Sequence, residues 1–142
     1  MIILPNNEGV FEITGTLKYN PKRDKLKKTR THDDFFLILD LPKDVGVYYR
    51  YWVKKRFGLF LNPPAYGEHI TILDGRVPVT QDKQIYWNKY KDKKIKIHYS
   101  NHLYQKWKFW CLPAQSEQLN DIREELGFTR LDFFHITFGR MN

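Results

Sequence analysis

The chain has one cysteine in 142 residues, Cys111, so it contains no internal disulfide and no thiolate metal site. No apolar run approaches the roughly 20 residues of a membrane-spanning helix. The opening Met-Ile-Ile-Leu-Pro lacks the basic segment and the longer apolar stretch of a secretory signal. There is no G-x-x-x-x-G-K-[ST] loop and no G-x-G-x-x-G, which excludes the common triphosphate and dinucleotide motifs. A His-x-His-x-His run is missing too, which argues against the histidine-triad hydrolases. These gaps predict one cytoplasmic domain spanning 1–142, without a membrane partner, metal or cofactor.

Charge is plentiful and uneven. Lys plus Arg number 24 against 16 Asp plus Glu, a net +8. Residues 18–30 hold seven bases and one acid, and residues 82–96 hold six Lys and two Asp. Two basic segments on a balanced remainder point to an anionic partner: a nucleotide, a nucleic acid or a phospholipid headgroup. A solvated lysine-rich face accounts for the same charges equally well. Four Trp, nine Tyr and ten Phe are enough to stack bases as well as fill a core.

Hydrophobic periodicity predicts strands at 10–19, 35–40, 68–73, 94–99, 106–112 and 133–138. It predicts helices at about 42–57 and 116–126. Pro42 opens the first helix, its apolar face is Val45, Tyr48, Trp52 and Val53, and Gly58 stops it. Ser116 caps the second, Leu119, Ile122 and Leu126 form its face, and Gly127 ends it. Pro113 is expected to end the strand before that helix.

One order then occurs twice: strand, helix, and a strand carrying His-Ile-Thr. The tripeptide stands at His69-Ile70-Thr71 and again at His135-Ile136-Thr137. On a strand, residues two apart share a face, so each His lies beside its Thr while the Ile points into packing. A pseudo-twofold between the units brings both polar faces to one cleft. Two imidazoles there suit phosphodiester chemistry, one ring neutral to take a proton and one protonated to give it. The threonine hydroxyls are placed to hydrogen-bond non-bridging phosphate oxygens. His98 and His102 sit on strand and turn, not on a helix, so no metal-binding i, i+4 pair arises. His32-Asp33-Asp34 reads as a polar loop, and Cys111 as inert core.

The motifs His69-Ile70-Thr71-Ile72 and His135-Ile136-Thr137-Phe138, within about 35–139, resemble those of the 2H phosphoesterase superfamily. That resemblance implies an α+β fold of two pseudo-symmetric strand–helix–strand units, lobes of roughly 30–75 and 94–140, with antiparallel sheets around a central cleft. It also implies metal-independent phosphodiester cleavage with His69, Thr71, His135 and Thr137 as the catalytic set. The segment Gly15-Thr16-Leu17-Lys18-Tyr19-Asn20-Pro21 and the small size are similar to the bacteriophage anti-CBASS phosphodiesterases. The implied substrates are then cyclic di- and trinucleotide immune signals, met in the host bacterial cytoplasm. Tyr19 is the base-covering aromatic carried over from that group, and Tyr99 and Trp107 are further stacking candidates. A 2H enzyme acting on RNA ends, 2′,3′-cyclic phosphates or 2′,5′-linked oligoadenylate is the alternative. A non-catalytic basic RNA-binding module with structural His-x-Thr strands is the second. No heptad pattern specifies an oligomeric state.

Overall fold

A computed structural model describes residues 10–21 and 35–141. Among the described residues seven strands form: β1 Val10–Tyr19, β2 Phe36–Asp40, β3 His69–Asp74, β4 Lys94–Ser100, β5 Tyr104–Lys106, β6 Phe109–Gln115 and β7 Phe134–Arg140. Helix α1 spans Lys43–Phe57, α2 spans Glu117–Glu125, and a 3-10 segment covers Gln81–Tyr86.

The two-lobed α+β arrangement that the resemblance implies is not what forms. All pairings are antiparallel, in the order β4-β1-β2-β3-β7-β6-β5, and β4 also pairs β6. Six strands therefore close on themselves as an antiparallel β-barrel, with β5 hydrogen-bonded outside the ring on β6. The architecture is mostly β with two short helices. The decisive pairing is β4 with β6, where His98 faces Gln115 and Tyr99 faces Ala114. It ties the β1–β4 pair to the C-terminal strands, so among the described residues no boundary separates the two halves. Most of the buried apolar residues accordingly form one cluster that includes Leu17, Leu39, Val53, Ile97, Leu112, Leu119 and Phe138.

The elements themselves follow the local pattern. Val45, Tyr49 and Val53 recur every four residues and are buried, while Tyr48 and Trp52 are exposed. The apolar stripe of α1 is thus rotated by one position from the expected face. Gly58 takes φ 69°, and its N–H caps the Lys54 carbonyl. In α2 the Ser116 hydroxyl accepts from the Leu119 N–H, and Leu119, Ile122 and Leu126 are buried as the spacing predicts. Pro113 does not end its strand. β6 runs on to Gln115, and Pro113 stands in register with His135.

Strand alternation sorts the side chains onto two faces. Leu17, Leu39, Ile70, Ile72, Ile95, Ile97, Ile136 and Phe138, at most 1% exposed, lie on the face against which the helices pack. Tyr49 of α1, for example, stacks 5.7 Å from Phe138. Burying each such aliphatic or aromatic side chain contributes about 1.5–3 kcal/mol. The opposite face is free to be polar, and it carries the paired motifs.

Candidate active site

β3 and β7 are neighbours. His69 stands directly opposite Thr137, and Ile70 opposite Ile136. Continuing that register places Thr71 opposite His135. Directly opposed residues of an antiparallel pair share a face, so all four polar side chains stand together on the sheet. The two histidines are diagonal neighbours, for which Cα separations are roughly 7–8 Å. Asp40 is in register with His69 from β2, and Cys111 and Pro113 with Thr137 and His135 from β6. A row of β2, β3, β7 and β6 thus presents Asp40, His69, Thr137 and Cys111 side by side.

His69 is 7% exposed. Its Nδ1 donates to the Gly67 carbonyl at 2.6 Å. A carbonyl only accepts, so Nδ1 carries the ring proton and Nε2 of the neutral ring holds a lone pair. Burial pushes its pKa below the ordinary histidine value, against upward pulls from the Gly67 carbonyl and the Asp40 and Glu68 carboxylates. Tyr66 packs edge-on at 6.2 Å.

His135 is half-buried and held at both ring nitrogens. Tyr104 of β5 bonds Nδ1, and the Lys106 ammonium approaches Nε2 at 3.2 Å. An ammonium only donates, so Nε2 accepts, Nδ1 keeps the proton and the Tyr104 hydroxyl oxygen accepts it. Burial first, then the Lys106 charge, push His135 down to about 4. Both rings of the free protein are therefore biased to the neutral form with Nε2 bare, rather than one neutral and one charged. Burial pushes the Tyr104 hydroxyl up, and the Cys111 thiol up to about 11. Cys111 thus stays a thiol, 4.0 Å from the Thr137 hydroxyl.

The three aromatic candidates part company. Tyr19 pairs with Leu37 on the core face, where its ring packs against Trp87 and its hydroxyl accepts from the Tyr90 N–H at 3.3 Å. Tyr99 also lies on the core face, stacked between Phe11 and Tyr49. It lines a cavity of about 890 Å³ with Phe11, Tyr48, Trp52 and Arg56, on the other face of the sheet from the histidines. Neither tyrosine joins the paired motifs, because each has the wrong parity along its strand. Trp107 lies outside the strands, between β5 and β6. It forms the β5–β6 turn next to Lys106, is 78% exposed and holds φ 57°. A left-handed conformation costs a bulky side chain on the order of 1–2 kcal/mol. The Lys108 ammonium sits 4.6 Å over its ring.

Charge on this face is partly where the sequence suggested. Lys94 and Lys96 of β4 pair with Thr16 and Thr14 of β1, and Thr16 and Lys18 pair with Asp40 and Ile38. Lys18, Lys94 and Lys96 therefore share the histidine face. Each is engaged locally: Lys18 with Asp92, Lys94 with the Thr16 hydroxyl, Lys96 with Glu12. His98, exposed and hydrogen-bonded to Glu12, is a surface residue as expected. Most of the first basic segment, with Lys22, Lys25, Lys27 and Lys28, and the polar loop His32-Asp33-Asp34 lie outside the described residues.

Tyr104 and Lys106 are the residues that sequence reasoning missed. The available signal is their i, i+2 spacing, hidden because apolar periodicity predicts a strand over 106–112 that runs through the turn. Among the described residues no group of three or more His, Cys, Asp or Glu is placed to hold a metal ion, and no helix is long and apolar enough to cross a membrane. Compared with models of known families, with curated proteins and with solved structures, the chain has no significant match.

Proposed function

We propose that this chain is a phosphodiesterase that opens cyclic di- and trinucleotide signals by two-histidine acid–base catalysis, working in the cytoplasm of an infected bacterium. The observation that carries the reading is the convergence of two identical His-x-Thr pairs, 66 residues apart in sequence, on one face of adjacent strands. The likeness to 2H phosphoesterases rests on those motifs and on the chemistry they allow. The barrel architecture lends it no support.

In this reading the phosphodiester lies across β3 and β7. The Thr71 and Thr137 hydroxyls donate to non-bridging oxygens as charge develops there. For a 3′–5′ linkage, the neighbouring ribose 2′-hydroxyl attacks phosphorus in line. One histidine takes its proton at Nε2, the bond to the 5′-oxygen breaks, and the other histidine protonates that oxygen. The bound anion favours the imidazolium the second role requires, offsetting the burial that keeps both rings neutral when the site is free. Trp107 offers its exposed face to a base, and Lys18, Lys94 and Lys96 supply attractive potential.

Incubation with a panel of cyclic di- and trinucleotides, 2′,3′-cyclic nucleotides and 2′,5′-oligoadenylate in chelator, read by chromatography, tests this. Preferential linearisation of a cyclic oligonucleotide supports it. Preference for the other two classes moves the same site to RNA-end chemistry, and RNA binding without turnover returns the protein to a basic binding module.

A further inference from the structure

Granting that reading, the two histidines are not interchangeable, because they stand in opposite electrostatic surroundings. His135 faces Lys106 at 3.2 Å and the neutral Tyr104, with Pro113 in register from β6. Its other neighbours are the ring of Phe133 and, across the strand pair, Thr71 and His69. His69 faces the Asp40 carboxylate from β2, the Gly67 carbonyl at Nδ1, the Tyr66 ring and the adjoining Glu68. Glu68 is itself tied to Arg50 at 2.6 Å, and Lys18 lies beyond Asp40. One imidazole thus has a cation at its reactive nitrogen, and the other has a carboxylate beside it and a carbonyl behind it.

We propose that this asymmetry fixes the direction of proton flow, with Lys106 making His135 the base and Asp40 making His69 the acid. A cation at Nε2 opposes protonation there, so the His135 lone pair stays available. When the phosphodiester arrives, its anionic oxygens draw the exposed Lys106 ammonium off Nε2. That frees the lone pair to accept the 2′-hydroxyl proton while Lys106 neutralises the developing charge. At His69, protonation at Nε2 yields an imidazolium whose Nδ1–H remains on the Gly67 carbonyl and whose charge is balanced by Asp40. This imidazolium delivers its proton to the departing 5′-oxygen. The bond from O2′ to phosphorus forms, the bond to O5′ breaks, and one proton passes in at His135 and one out at His69. Lys106 and Asp40 are positioning residues, since each acts through a histidine.

The experiment combines imidazole titration by NMR with the pH profile of kcat/KM in Lys106→Met, Lys106→Arg, Asp40→Asn and Asp40→Glu. Lys106→Met should raise the His135 midpoint and move only the acid limb upward. Burial, the larger cause, persists in that variant, so a limb displaced from about 4 to about 5 lowers kcat/KM near pH 4 about fivefold and leaves the alkaline side in place. Asp40→Asn should lower the His69 midpoint and move only the alkaline limb downward, with a several-fold loss on that side. The charge-conserving variants should restore both limbs. Limbs that exchange, or midpoints that do not move, overturn the assignment. Midpoints that move as stated in a protein hydrolysing none of the cyclic substrates overturn the phosphodiesterase reading instead, and leave the charge asymmetry standing.

Discussion

At the scale of single residues, a histidine in a strand is ordinarily a matter of packing, and what singles out His69 and His135 is the company each keeps. Each has Nδ1 committed to a neighbour, and Nε2 is left as the unprotonated nitrogen, which at His135 accepts from the Lys106 ammonium. Removing the Tyr104 hydroxyl should loosen the His135 ring without changing its charge. Tyr104→Phe is expected to lower kcat about tenfold with little change in KM, as steady-state kinetics would report. Trp107 gives a separate forecast. Trp107→Gly relieves the φ 57° conformation, so thermal unfolding should shift upward or stay level, while KM for a cyclic dinucleotide rises. A drop in both stability and affinity would mean that the ring packs rather than binds.

At the scale of elements, local pattern was a good guide and pairing was not. The strand 10–19 and the helix 43–57 are visible in apolar spacing, in Pro42 and in Gly58. The β5–β6 turn was invisible because Lys106-Trp107-Lys108 contains none of the usual turn residues. Missing it hid Tyr104 and Lys106, and so half of the His135 environment. The face of α1 was misplaced for a related reason. Tyr48 and Trp52 are as apolar as Tyr49 and Val53, and only the partner sheet decides which pair is covered. Helix α1 also depends on Gly46. A Cβ there would meet the Glu68 Oε1 at 2.0 Å, displacing a carboxylate whose ion pair with Arg50 is buried. Gly46→Ala should destabilise the protein by about 2–4 kcal/mol in denaturant unfolding, since a buried charge loses its partner. Because Glu68 adjoins His69, the same change should reduce activity.

The whole molecule is where the sequence was least informative. The resemblance carried by the two His-Ile-Thr strands implies two lobes, yet the β4–β6 pairing closes one ring. Pairing between strands distant along the chain leaves no local mark, because strands β1 and β4 alternate in the same way whatever lies beside them. The convergence is expected from a pseudo-twofold between two units, but what brings the motifs together is the direct antiparallel pairing of β3 with β7. Global stability should carry the signature of the neutral histidines. His135 titrates near 6.5 when unfolded and is pushed down to about 4 when folded, so the unfolded chain binds the extra proton between those values. Its contribution is complete above about 6.5 and is lost as pH falls toward about 4. For a half-buried ring open to solvent screening, that loss is on the order of 1 kcal/mol. Urea midpoints for the protein and for His135→Gln across this range would show it as a difference that shrinks toward low pH.

The most direct test is chelator-treated protein mixed with cyclic di- and trinucleotides, beside a folded His69→Ala, His135→Ala double variant, with products separated by chromatography. Linear products from the parent protein and none from the variant are the expected outcome. Undiminished turnover by the variant, or intact cyclic substrates in both, would contradict the idea that these imidazoles work on one phosphorus.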